Sequence, residues 1–326
     1  MIKLIFGAIF ALLSLSFHCV AVEGQTRVVE DAFGKKITVP ENPKRIVVLS
    51  EIDLDSTLAL GIIPVGSVNG RGQPRFPYYL ENHPLLGSSV KAIPSVGELG
   101  QPNLEVILAL EPDLILTMPN REEVLQVLSE IAPTVVTFSR HDDWKTTLRR
   151  IGEILGRQVQ ASKLVDEYQS LIATSKIKLN GVAGQSVSLV RWNPKGPAFM
   201  YRDSFASEIL RDVGLVRPVH QQTEGPHHSL PLSLEALDQI DADWLLVGTL
   251  TPRGEATEAL KQAGTTPTFL ALDAVKKGHF FAVDGTLWTS VGGPIAAQQV
   301  VHEALQILVH RAAPKSDFQV TTTTAK

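Results

Sequence analysis

Two stretches of thirteen residues in this chain repeat one another, 130 positions apart. LEVILALEPDLIL at 104–116 aligns without gaps on LEALDQIDADWLL at 234–246. Leu104/Leu234, Glu105/Glu235, Asp113/Asp243 and Leu116/Leu246 are identical, and Leu110 faces Ile240. Each copy reads as two helical turns, an Asp-bearing turn and a short apolar run of the kind that makes a strand covered on both faces. Repetition of a whole helix-to-strand unit points to two related halves. With 326 residues, each half is long enough to bury a core of its own.

Between the halves lies QVQASKLVDEYQSLIATSKIKL, residues 158–179. Val159, Leu164, Val165, Tyr168, Leu171 and Ile172 recur at spacings of three and four, which puts one apolar stripe along a helix. The other face is Lys, Asp, Glu, Gln and Ser, so the helix lies on a surface. Gly156 stops the shorter helical run at 143–155, in which Trp144, Leu148, Ile151 and Leu155 keep the same spacing. About 22 residues at 1.5 Å each make a rod of roughly 33 Å.

On either side of the rod the same alternation appears. The first half predicts a hairpin at 27–39, a strand at 45–49, a helix at 54–60, and a strand from Val65. After a Gly/Pro-rich loop at 69–94 come a helix at 104–110, a strand at 114–117, a helix at 122–131 and a strand at 134–138. The second predicts strands at 187–190 and 199–201, helices at 205–213 and 234–240, and a strand at 244–247. A helix at 255–263, strands at 269–272 and 280–283, and a closing helix at 294–309 with Pro294 in its first turn complete it. The expected architecture is α/β: two Rossmann-like lobes with parallel sheets joined by a single long α-helix. The expected divisions are a signal peptide at 1–21, an N-terminal lobe at 22–157, the connecting helix at 158–179, a C-terminal lobe at 180–311 and a disordered tail at 312–326.

The leader reading rests on Lys3, an apolar run at 4–17, and Cys19-Val20-Ala21 as a cleavage site after Ala21. That run is shorter than the ~20 apolar residues a spanning helix needs, so an exported, soluble protein is expected. Cys19 is the only cysteine. Ser16-Phe17-His18 ahead of it departs from a lipobox, which disfavours a lipid anchor, and cleavage after Ala21 leaves no thiol for a disulfide. A net charge of −4 without a Lys/Arg run argues against nucleic acid as a partner.

Several motifs carry a family resemblance: Arg45-Ile-Val-Val-Leu; Val96-Gly-Glu-Leu-Gly-Gln-Pro-Asn-Leu-Glu105 with Glu111-Pro-Asp-Leu-Ile115; Ile131-Ala-Pro-Thr134; Tyr201-Arg-Asp-Ser-Phe205; and Leu287-Trp288 with Gly292-Gly-Pro-Ile-Ala-Ala297. With them the chain resembles the periplasmic substrate-binding proteins of iron–siderophore ABC transporters, the class with a helical backbone, over nearly all of its length after the leader. The resemblance implies a monomer that captures a ferric siderophore between its lobes and delivers it to an inner-membrane permease dimer. It implies no intrinsic cofactor. Haem or cobalamin is the alternative cargo within the class. One exposed Glu per lobe is expected to dock onto the permease, and the matching positions are Glu105 and Glu235. Each is second in its helix, where the helix dipole alone favours a carboxylate by roughly 0.3–1 kcal/mol.

Open α/β sheets bind ligands in the crevice beyond the carboxyl ends of their strands. A bulky, anionic chelate calls for Arg forks and aromatic faces there. Arg71, Arg121, Arg191, Trp192, Tyr201, Arg202 and Trp288 all fall at or just past predicted strand ends, so they are the expected lining. His227 and His228 are candidates for touching the iron, although a siderophore with six donors needs no protein ligand, and no metal-site spacing links the other histidines. Glu51, Asp53 and Asp55 read as helix-start acids on a polar rim. Gly-x-Ser-x-Gly, Walker and His-Glu-x-x-His motifs are absent, so no enzyme is expected; an exported hydrolase on the same scaffold is the competing class. Hydroxamate, catecholate and carboxylate cargoes stay open.

Overall fold

The computed structural model describes residues 25–225, 227–290 and 292–313. The leader at 1–21, including Cys19, and the tail beyond Ala313 lie outside the described residues. Strands are β1 (Thr26–Glu30), β2 (Lys36–Pro40), β3 (Ile46–Val48), β4 (Gly66–Ser67), β5 (Gly97–Glu98), β6 (Gln101–Pro102), β7 (Leu114–Thr117), β8 (Thr134–Val136), β9 (Val187–Asn193), β10 (Gly196–Phe199), β11 (Trp244–Thr249) and β12 (Phe280–Asp284). They form two separate four-stranded sheets, β4-β3-β7-β8 and β10-β9-β11-β12, and two small antiparallel hairpins, β1-β2 and β5-β6. The helix Gln158–Lys178 runs between the two sheets in the chain, so the molecule is two α/β lobes bridged by one long helix.

The repeat corresponds to one structural device used twice. In the N-terminal lobe Asp113, just ahead of β7, accepts the backbone N–H groups of Lys44 at 2.6 Å and Arg45 at 2.9 Å, immediately before β3. In the C-terminal lobe Asp243, just ahead of β11, accepts the backbone N–H of Ser186 at 2.8 Å, immediately before β9. Both carboxylates satisfy amides that precede the neighbouring parallel strand, and so fix the register of β3 on β7 and of β9 on β11. The helical parts differ: Leu104–Ala109 is α-helix capped by Asn103, whereas Leu234–Ile240 is 3₁₀ with a kink at Ala236.

Three further expectations need correction. The second sheet is mixed, because β10 returns antiparallel from β9 through a tight turn at Gly196, whose φ of 121° belongs to glycine. Residues 267–270 form a short helix instead of a strand; Pro267 opens it and Thr266 accepts the N–H of Phe269, so the apolar run there is a buried helical turn. The loop at 69–94 carries two short helices, Tyr78–Glu81 and Gly87–Ala92.

On the bridging helix Ala161, Val165, Tyr168, Ile172 and Ser175 are buried, at spacings of three and four, while Leu164 and Leu171 flank them half-buried. Val159, expected in that stripe, is exposed. The stripe joins a continuous apolar core with the helices Glu51–Ala59 and Trp144–Ile154 of the first lobe and Pro294–His310 of the second. Each lobe has a smaller apolar cluster of its own, around Ile115 and Leu128 in one and around Trp192 and Phe269 in the other. The lobes therefore share one packed back, and the cleft opens on the opposite side, where the parallel strands end.

Candidate functional site

The carboxyl ends of β3, β4, β8, β9 and β12 bring a set of charged groups to the crevice between the lobes. From the N-terminal lobe come Glu51, Arg71 and Arg140; from the other come Arg191, His227 and Asp284. Arg71 is exposed in the loop after β4, and its backbone N–H donates to Glu51 Oε1 at 2.7 Å. Arg191, the fifth residue of β9, pairs with Gly248 in the sheet, and its side chain is buried. Its Nε donates to Thr289 Oγ1 at 3.0 Å, and its terminal nitrogen donates to the Thr289 carbonyl. Burial lowers the Arg191 pKa to about 10, with Arg71 adding to the drop and Glu51 opposing it.

His227 reads the local field. Its pKa lies below the usual imidazole value because it is partly buried, and further because Arg71, Arg140, His228 and Arg191 act on it. Arginines of both lobes thus act on the same imidazole. Coulomb attraction of that kind draws an anion, and guanidinium forks hold carboxylates or phosphates two bonds at a time. Between the lobes lies a cavity of about 90 Å³ walled by Arg140 and Trp144 on one side and by Phe205, Glu208 and His227 on the other. Small-molecule sites are usually 300–1,000 Å³. A bulky ligand would not fit inside this cavity. A larger cavity of about 790 Å³ lies at the back of the molecule, against the helix Pro294–His310 and away from the strand ends.

The expected lining residues divide. Arg71 and Arg191 come together. Tyr201 is half-buried; its backbone N–H donates to the His227 carbonyl at 2.9 Å, and Gly225 passes so close that a Cβ there would lie 2.7 Å from the Tyr201 ring. Arg202 is already engaged, with Asp203 at 3.0 Å and Glu224 at 2.8 Å. Arg121 stays exposed at the head of the helix Glu122–Ile131, and the charges acting on His227 do not include it.

The two tryptophans are corrections. Trp192 is 2 % exposed and packs edge-on against Phe269, 6.1 Å between ring centres. Trp288 is fully buried and donates its indole N–H to Glu303 at 2.7 Å. Both lie beneath the cleft wall: residue 192 alternates with Arg191 along β9 and points to the other face of the sheet. His228 bonds the Ser229 carbonyl at 2.7 Å, and among the described residues no cluster of three or more His, Cys, Asp or Glu is placed to hold a metal ion. Glu105 and Glu235 are both exposed, each on its own lobe.

The acids expected on a polar rim are buried. Glu51 is 3 % exposed, and Asp53 and Asp55 are at 0 %. Asp53 is held by Ser50 Oγ at 2.6 Å and Thr137 Oγ1 at 2.5 Å, which locks the helix Glu51–Ala59 to the end of β8. Asp55 accepts from Tyr79 and from the first turn of the helix Pro294–His310. Sequence reasoning also passed over Arg140, which follows β8, and Arg217, which is buried behind the loop bearing Tyr201. Arg217 donates to Ser207 at 2.5 Å, to Gln221 at 2.5 Å and to the Met200 carbonyl at 3.2 Å, and burial lowers its pKa to about 9. Arg140 could have been found by asking which residue follows each strand; nothing in the sequence marks Arg217 as internal.

A family model described as periplasmic binding protein matches residues 71–287. The probable siderophore-binding lipoprotein YfiY of Bacillus subtilis is 31% identical over 288 residues, 86% of each chain. The Fe(3+) dicitrate-binding periplasmic protein FecB of Escherichia coli is 25% identical over 95% of this chain and 97% of its own. Among solved structures, Staphylococcus aureus SirA complexed with staphyloferrin B superposes with a TM-score of 0.74 at 26% identity, covering 87% of this chain and 98% of that one. YfiY and FecB are named as binding proteins. Among the described residues no helix is long and apolar enough to cross a membrane. Two bridged α/β lobes, a shared family model over residues 71–287 and a 31% identical relative together place the chain in the periplasmic binding protein family.

Proposed function

We propose that this protein is the periplasmic receptor of an iron-uptake ABC transporter, capturing a ferric siderophore between its lobes and handing it to the membrane permease. The observation that carries this reading is a cleft wall with basic groups from both lobes: Arg140 and His227 line one inter-lobe cavity, and exposed Arg71 sits on buried Glu51. Such a site favours an anionic chelate, and carboxylate-bearing siderophores fit it better than neutral ones. The relatives' named cargoes are iron chelates, which favours these over haem or cobalamin. Capture and release make and break no bonds, so no residue is assigned a catalytic role and no intrinsic cofactor is needed.

Arg71 and Arg191 are the main anion-binding groups, Arg140 extends the basic surface, His227 offers a ring nitrogen for hydrogen bonding, and Tyr201 supplies an aromatic edge. Arg202 joins once the ligand competes with Asp203 and Glu224 for its guanidinium. The iron keeps its siderophore donors. Glu105 and Glu235 are the docking points for the two halves of a permease dimer, and the protein acts as an exported monomer. Titrating the purified protein with ferric citrate, a ferric hydroxamate, haem and cobalamin, with quenching of Trp192 and Trp288 beneath the cleft as readout, tests this directly. Saturable one-to-one quenching by an anionic ferric chelate is expected; saturation by haem or cobalamin alone overturns the reading.

A further inference from the structure

Glu51 is unusual among the charged groups of the cleft. It begins the helix Glu51–Ala59 and is 3 % exposed. Its Oε1 accepts the backbone N–H of Arg71, while Oε2 is buried without a hydrogen-bond partner. The charged and titratable groups facing it are Arg71 from the loop after β4, Arg191 from β9, Asp284 from the end of β12 and Tyr79 from the helix Tyr78–Glu81. A lone buried acceptor oxygen is costly to leave unpaired. Here it faces exposed Arg71 and buried Arg191.

We propose that Glu51 is a positioning residue for ligand capture and that the cleft takes up one proton, on Glu51, when an anionic iron chelate settles on Arg71 and Arg191. This rests on the reading of the cleft as a ferric-chelate site. In the free protein the Glu51 carboxylate partly balances the two guanidinium groups and seats the Arg71 loop. An arriving anion claims the same positive charges and displaces water, so two like charges would share one dry site. The carboxylate relieves that conflict by binding a proton from solvent at Oε2; an O–H bond forms, nothing leaves, and the unpaired acceptor becomes a donor. The Oε1 bond to the Arg71 amide survives, so the loop stays seated. Burial raises the Glu51 pKa above the usual carboxylate value, against the pull of Arg71 and Arg191.

Binding coupled to uptake of one proton strengthens about tenfold per pH unit of acidification, wherever Glu51 is ionised in the free protein and protonated in the complex. The test is calorimetric titration of the full chain with ferric citrate between about pH 5 and pH 8, in pairs of buffers with different ionisation heats. E51Q keeps an acceptor for the Arg71 amide and cannot titrate; D284N removes the other facing acid. Proton changes on the chelate itself are common to all three proteins. Uptake approaching one proton per chelate in the wild type and in D284N, lost in E51Q, is the expected result. Infrared difference spectra of the wild type alone should gain a protonated-carboxyl stretch on binding. Binding with no proton uptake across that range, or uptake that persists in E51Q, overturns the inference while leaving the cleft reading intact. Failure of ferric citrate and of a ferric hydroxamate to bind at any pH removes both.

Discussion

Asp55 Oδ2 lies 2.9 Å from the amide nitrogen of Ala296, 241 residues away in the other lobe. Its Oδ1 lies 2.9 Å from that of Ile295, and Tyr79 donates to Oδ2 at 2.9 Å. The seventeen-residue helix that begins at Pro294 has Gly293 at its N-cap and no side-chain cap of its own. A carboxylate from the first lobe supplies that cap, against the positive end of the helix dipole. One residue thus ties the lobes together and completes a helix terminus. Lys145 and Tyr168, which both bond Asp212, make a second tie nearer the bridging helix. Gln73 makes a third at the cleft, to the Leu250 carbonyl.

Replacing Asp55 by Ala leaves three donors without a buried partner. The expected loss is about 2–4 kcal/mol of unfolding free energy, measured by urea denaturation. D55N retains one acceptor oxygen and should lose less. A D55A protein as stable as wild type contradicts the inter-lobe cap.

Gly293 is the position that lets the two lobes approach. A Cβ there would lie 2.5 Å from Asp55 Oδ1 and 2.8 Å from Ser56 Oγ. G293A should therefore cost about 1–3 kcal/mol and widen the gap between the lobes, seen as a larger radius of gyration in solution scattering. No change in either quantity would contradict the close approach.

Stability should rise on mild acidification. Burial raises Asp53, Asp55 and Asp284 to about 6, and Glu208 and Glu303 to about 7, against the hydrogen bonds that favour ionisation of most of them. A folded-state pKa above the unfolded one means that the native protein binds the proton first. The stabilisation is complete below the unfolded pKa, near 4, and is lost as pH climbs through about 6 to 7. Asp142 and Asp243, held low, act in the opposite sense, but only as pH falls below the ordinary carboxylate range. The urea midpoint at about pH 5 should exceed that at about pH 7.5, by on the order of a few kcal/mol across the set; a lower midpoint at pH 5 contradicts it.

The sequence announced the fold more fully than the site. The repeat at 104–116 and 234–246 survives as matching strand starts, with Asp113 and Asp243 making equivalent backbone contacts, because strand registry is a local hydrogen-bonding matter. The bridging helix was legible from its apolar stripe, apart from Val159 at its exposed first turn. Phe269 was misread because a four-residue apolar run has no resolvable period, and Thr266-Pro267 decides for helix. Within the site, chain position pointed to Arg71, which follows β4, and to Arg191, which lies near the end of β9, and both act on Glu51. It failed for Trp192, because strand residues alternate faces, and for Trp288, which turns inward to Glu303. It failed also for Glu51, Asp53 and Asp55, whose burial is set by partners from residue 71, residue 137 and residue 295, far along the chain.

Glu105 and Glu235 offer a separable prediction. Both are exposed and neither is among the charges acting on Glu51 or His227, so E105A and E235A should leave chelate affinity within about twofold. Iron uptake by cells that depend on this protein should fall about tenfold or more in the double variant. Uptake that stays normal argues against permease docking at these residues.

The central claim is that Arg71 and Arg191, from different lobes, hold one anionic iron chelate between them. Calorimetry with ferric citrate on the wild type, R121A and the R71A/R191A double variant measures this most directly. Charged hydrogen-bonding groups contribute roughly 1.5–3 kcal/mol each, so the double variant should bind about a hundredfold more weakly or worse. The wild type should bind one chelate per chain, and R121A should match it. Equal affinity in the double variant, or no binding by the wild type, would contradict the account.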